Sequence, residues 1–228
     1  MEMIAALVLA AVSIGSFHTL APDHWVPFAT LARAERWSAG RTAVITALCG
    51  LGHVTVSVAL GLVGLLCGIG LLEAFGRRLE SAAGILLIGF GVAYGAWGLH
   101  RRMDARLRER VDGSGSDHHH HHSHHHAHRH PHTGDRRLTA WALFLLFSAD
   151  PCVAVIPLMF AAAPLGWKRA LLVVAAYEIA TIGTMITLVL PARAAVKTVK
   201  SAWAEEYSEA IAGGVIAAVG LAVVSLGL

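Results

Sequence analysis

The residues best suited to chemistry lie in "SFHTLAPDHWVPF", residues 16–28, where His18, Asp23 and His24 stand among Pro22 and Pro27. Imidazole and carboxylate together suit borderline divalent cations such as nickel, cobalt and zinc, whereas an all-oxygen cage suits magnesium or calcium. In an unbroken helix His18 and His24, six residues apart, diverge by about 120° and cannot share an ion. Pro22 has no N–H for the carbonyl of His18, and Pro27 has none for that of Asp23. The helix is therefore expected to break here, freeing backbone oxygens and letting His18, Asp23 and His24 converge.

A second stretch repeats the device. "FSADPCVAVIP", residues 147–157, sets Asp150 against Pro151 and adds Cys152 and Pro157. The segments that follow each stretch contribute one polar residue apiece to otherwise apolar surroundings. In "ALCGLGHVTVS" His53 has Cys49 and Ser57 one turn to either side. In "AAYEIATIGTM" Glu178 has Thr181 and Met185 on its face. Taken singly these have plainer readings: an interfacial aspartate, a histidine hydrogen-bonded between helices, ordinary buried thiols at Cys49 and Cys67. Taken together they give an expected metal set of His18, Asp23, His24, His53, Asp150, Cys152 and Glu178. Glu178 would either bind the ion or carry a proton in exchange for it. A third group is "DHHHHHSHHHAHRHPH", with His118, His119, His120, His121, His122, His124, His125, His126, His128, His130 and His132. Its internal place and its interruptions distinguish it from an affinity tag. It cannot bury a core and is expected to be disordered, acting as an accessory metal-binding loop.

The elements that carry these residues must live in lipid. The chain of 228 residues is 56% hydrophobic and only 14% charged, with a mean hydropathy of +0.61, outside the range of a soluble globular domain. A helix crosses a hydrocarbon core of roughly 30 Å with about 20 apolar residues. Six runs qualify: 3–31, 43–72, 81–100, 138–163, 168–192 and 208–228. The first lacks the basic start and cleavage signal of a signal peptide and is read as a permanent span. The fold expected is an all-α integral membrane protein with three parts: a three-helix unit over 1–100, a His-rich loop over 101–137 and a second three-helix unit over 138–228. Three is odd, so the two units must be inverted relative to each other, and each opens with a proline-broken helix. Matched interruptions of this kind mark the ion site of inverted-repeat transporters.

Basic residues predict orientation. Arg33, Arg36 and Arg41, eight arginines from Arg101 to Arg137, and Arg193, Lys197 and Lys200 fall on one side, against Arg77, Arg78, Lys168 and Arg169 on the other. The positive-inside rule then puts the His-rich loop in the cytoplasm and both termini outside, in the inner (plasma) membrane. The net charge of +3 follows from this asymmetry, and there is no basic-aromatic patch for nucleic acid. Three cysteines dispersed in apolar runs make no disulfide framework.

The pattern of His18, Asp23 and His24 in "HTLAPDH" resembles the signature of nickel and cobalt transporters. With the histidine of "GLGHVTVS", the "DPC" at 150–152 and the His-rich loop between the third and fourth spans, the chain most resembles the NicO type, which includes RcnA-like efflux proteins and UreH-like membrane domains within the LysE/DsbD-related fold group. The permeases that carry this signature have eight spans rather than six, which argues against uptake. The resemblance implies secondary transport of Ni²⁺ or Co²⁺, with Zn²⁺ as a further candidate, no prosthetic group and no enzymatic activity. The chain has no Gly-x-x-x-x-Gly-Lys-Ser/Thr and so no P-loop of its own. Proton coupling and export are expected, the loop concentrating metal at the inner mouth. Two other classes stay open: a metal sensor or nickel-enzyme accessory membrane protein that moves no ion, and a thiol-disulfide electron carrier of the CcdA/DsbD type. The carrier would need a cysteine in the first helix, and residues 1–34 contain none. Glycine patterns such as Gly61, Gly64 and Gly68 suit close helix packing within a chain or in an oligomer.

Overall fold

The computed structural model describes residues 2–67, 69–113, 133–198 and 201–226, and all regular structure among them is helical. Helix α1, Glu2–Thr19, ends one turn before the first proline pair, and a 3-10 turn, Pro22–His24, leads into the short α2, Val26–Ala34. Two long helices follow, α3 Ala39–Cys67 and α4 Ile69–Gly113. The second half also opens with a broken helix. Helix α5, Thr133–Ala149, stops at Asp150 and Pro151, and the short α6, Val155–Ala162, continues through a 3-10 turn into α7, Trp167–Thr198. The five-residue α8, Ala202–Glu206, and α9, Ser208–Leu226, complete the described chain. Both breaks fall where proline removes a backbone donor.

Among the described residues, five helices are long and apolar enough to cross a membrane: Glu2–Thr19, Ala39–Leu66, Ala82–Arg108, Trp167–Ala195 and Ser208–Leu226. The expected span over 138–163 is instead two short apolar helices, Leu138–Ala149 and Val155–Leu165, because the break at Asp150–Pro151 divides it. No more than 39% of any long apolar window is buried inside the protein. The remainder points outward, with Phe17 at 73% exposure, Leu66 at 82% and Ile179 at 73%. Water would penalise such a surface by about 25 cal/mol per Å² of apolar area, and a bilayer removes that penalty. The chain is a multi-pass membrane protein by the length and composition of its helices.

Packing interleaves the halves. Helix α1 lies against α7 and α5 against α3, while α2 contacts α7 and α6 contacts α3. The most extensive seam joins α4 and α9, and glycine makes it possible. A Cβ at Gly91 would lie 2.6 Å from the carbonyl oxygen of Gly213, and one at Gly213 would lie 2.5 Å from that of Gly91. With no hydrophobic drive between helices in lipid, close backbone approach supplies the dispersion contacts that hold such a seam.

Helix α4 continues beyond residue 100 to Gly113, so the segment between the halves is helical at its near edge. Arginines with strong helix propensity extend it, and ion pairs fasten it to the last two helices. Arg101 reaches Glu209 at 3.1 Å, and Arg102 and Arg106 reach Glu206 at 2.8 and 2.6 Å. Residues 114–132, which carry the histidine run from His118 to His132, lie outside the described residues, as does the side chain of Cys67.

The turn after α2 is held by the chain itself. Arg36 N–H donates to the carbonyl of Arg33 at 3.0 Å and Trp37 N–H to that of Ala32 at 2.9 Å, the paired bonds of a Schellman motif. Arg36 occupies its left-handed position, φ 54°, where glycine is the usual residue. The turn buries Glu35, whose Oε1 accepts Tyr94 Oη at 2.9 Å and Thr139 Oγ1 at 3.1 Å, drawing α4 and α5 together. Arg193 of α7 donates to the carbonyl of Trp37.

Candidate metal centre

The break after α1 turns the chain so that His18, at the end of the first helix, and His24, in the 3-10 turn, meet over one point. Their rings touch edge to face with centroids 4.3 Å apart. Helix α3 brings His53 to the same place, its centroid 5.3 Å from His24 and 6.1 Å from His18. One ligand nitrogen from each of the three lies within 4.8 Å of the other two. Nitrogens sharing one ion at about 2.1 Å stand at most about 4.2 Å apart, so side-chain shifts below an ångström would close the set.

The cluster is deep. His53 is 1% and His24 2% exposed, and His18 is half-buried. Nε2 of all three is buried without a hydrogen-bond partner. Native proteins seldom leave one such atom unsatisfied, and three in one cluster are lone pairs or N–H groups that a bound cation, with the rings in the matching tautomer, would satisfy. Asp23 Oδ1 lies 3.0 Å from His24 Nδ1, close enough for attraction although not aligned as a hydrogen bond. The carboxylate adds negative charge to the cluster's edge.

The second half holds the third histidine. In a continuous helix the carbonyl of Phe147 would accept the N–H of residue 151, but that residue is proline. The freed oxygen lies 3.2 Å from His53 Nδ1. If Nδ1 carries the proton and donates it there, Nε2 keeps its lone pair for an ion. Ser57, fully buried one turn further along α3, donates to the carbonyl of His53 at 2.7 Å and accepts Cys152 N–H at 2.6 Å.

The other expected ligands take different places. Asp150 lines one small cavity together with Asp23, Pro27, Phe147 and Leu87, so the two aspartates of the two breaks share a space that none of the three histidines lines. Cys152 Sγ is 2.6 Å from Tyr177 Oη, a thiol and phenol paired with each other and outside the histidine set. Glu178 on α7 is half-buried with Oε1 unpartnered, and it too lies outside the three-histidine set. Cys49 is buried and free, as expected of an ordinary core thiol. Two participants went unread in the sequence. The Phe147 carbonyl was signalled by Pro151 four residues later; Tyr177, an aromatic among apolar neighbours, carried no signal. Comparison of the chain with family models, with curated proteins and with solved structures returned no match.

Proposed function

We propose that this protein is a secondary transporter of divalent transition metal ions, nickel or cobalt foremost, that binds its cargo at His18, His24 and His53. The observation that carries the reading is the convergence of three imidazoles, two buried and one half-buried, each with an unpartnered Nε2, at a proline-made break inside a multi-pass membrane protein. Intramembrane polar residues are costly and mark ion pathways. Soft-to-borderline nitrogen ligands favour nickel, cobalt, copper or zinc over magnesium or calcium.

The two halves act as inverted repeats of three spans each, the divided fourth span completing six. Support comes from the matched order of a broken helix followed by long helices, and from the reciprocal packing of α1 on α7 and α5 on α3. The cargo is then held where the two breaks meet, and rocking of one repeat against the other exposes it alternately to either side. Protons compete with the ion for the imidazoles, which couples flux to pH. The arginine-rich side, with the histidine run, faces the cytoplasm of a plasma membrane, and the run collects metal for export.

Initial rates of Ni²⁺ and Co²⁺ movement in proteoliposomes, with metal and pH gradients imposed separately, test the proposal. The native chain is expected to move metal down its gradient, and His18→Ala and His53→Ala to lose at least about tenfold in rate. A native chain that binds metal but moves none would leave the sensor or accessory reading in its place.

A further inference from the structure

We infer that Ser57 is the positioning residue of the metal centre: its hydroxyl docks the second break onto α3 so that the Phe147 carbonyl fixes His53 in the tautomer that presents Nε2 to the ion. The inference rests on the metal-binding reading and adds a mechanical condition to it. Ser57 is 0% exposed and uses both capacities of its hydroxyl, donating to His53 O at 2.7 Å and accepting from Cys152 N at 2.6 Å. It therefore ties the backbone of a ligand in one half directly to the break in the other. Five residues before Cys152 stands the carbonyl that Pro151 leaves free, 3.2 Å from His53 Nδ1. Within the break Val155 N–H and Ile156 N–H bond the carbonyls of Cys152 and Val153, whereas the N–H of Cys152 itself is taken by Ser57 of α3.

Glycine clears the ground for this docking. A Cβ at Gly52, the residue before His53, would lie 2.9 Å from Phe144 Cε2 and would collide with Ser148 Oγ. Helix α3 can thus lie against the end of α5 with Phe144 and Ser148 in their present positions because position 52 has no side chain. With α5 docked, Nδ1–H has an acceptor, and Nε2 keeps its lone pair in a ring that stacks 6.1 Å from His18 and lies 5.3 Å from His24. With α5 displaced, His53 has no fixed tautomer, and the ion loses one prepared ligand. The ion site is accordingly complete in one arrangement of the two halves, which ties cargo release to their separation.

The direct test is the tautomer of His53 in the metal-free chain, read by nitrogen NMR of histidine-labelled protein at about pH 8, where unperturbed imidazole is neutral. The resonance is assigned through His53→Gln. The native protein is expected to show the Nδ1–H tautomer; a dominant Nε2–H tautomer would overturn the inference whatever the protein does with metal. Co²⁺ titration supplies the second arm. Ser57→Ala is expected to weaken Co²⁺ binding about 10–100-fold and to mix the His53 tautomers, while Ser57→Thr, which keeps the hydroxyl, retains both native properties. Equal Co²⁺ affinity and an unchanged tautomer in folded Ser57→Ala would refute the role of Ser57 alone. Absence of Co²⁺ binding to the native chain would instead refute the metal-binding reading, with the tautomer still deciding this one.

Discussion

His18, His24 and His53 divide the labour at the residue scale with two groups that do not belong to their triangle. Asp23 supplies charge beside His24, and the Phe147 carbonyl orients His53. Because the proposed ligands are neutral imidazoles, protons and metal compete for the same lone pairs. Binding of Co²⁺ or Ni²⁺ should therefore weaken as the solution is acidified far enough to charge the imidazoles, with protons released on binding in that range, both measurable by calorimetry in buffers of different ionisation enthalpy. Asp23→Asn keeps shape and removes charge. It should lower affinity about tenfold without abolishing binding, whereas His24→Ala should cost at least about a hundredfold. Equal losses for the two variants would make Asp23 a ligand in its own right.

Among the elements, the α4–α9 seam is the place where backbone approach is closest. Gly213→Val would force a side chain against the carbonyl of Gly91 and should cost about 3 kcal/mol or more, seen as loss of monodisperse protein and a lowered melting midpoint in detergent. Gly214→Ala, on the same helix but with nothing within 4 Å of an added Cβ, should leave both unchanged. Helix breaks were legible in the sequence because proline acts locally: Pro22 and Pro151 each remove one named donor, and the breaks follow. The ends of long helices were less legible. The composition of 101–113 reads as a polar loop, yet its arginines, glutamate and leucine are good helix formers and α4 continues through it, with Glu206 and Glu209, about a hundred residues away, pairing with Arg101, Arg102 and Arg106. The same distinction separates the site residues. His18 and His24 converge through a local break that spacing could forecast. The pairing of Cys152 with Tyr177, and the distance of Glu178 from the histidine set, depend on how α7 rotates against its neighbours.

At the scale of the whole molecule, basic residues are spread unevenly between the loops. The arginine bias predicts that the segment around residue 114 faces the cytoplasm. A cysteine placed at Ser114 should react with an impermeant maleimide in inside-out vesicles and not in intact cells, and the reverse pattern would invert the transport direction proposed. At the centre, the proposed site takes His18 and His24 from the first break and His53, oriented by a carbonyl of the second, from α3. Its most direct test uses the chain lacking residues 117–132, which retains four of the fifteen histidines, His18, His24, His53 and the surface residue His100. X-ray absorption of bound Ni²⁺ in that protein should report one ion per chain with three imidazole nitrogens, falling to two in His53→Ala. No bound ion, or a first coordination sphere unchanged by His53→Ala, would contradict the claim that these three histidines jointly hold the cargo.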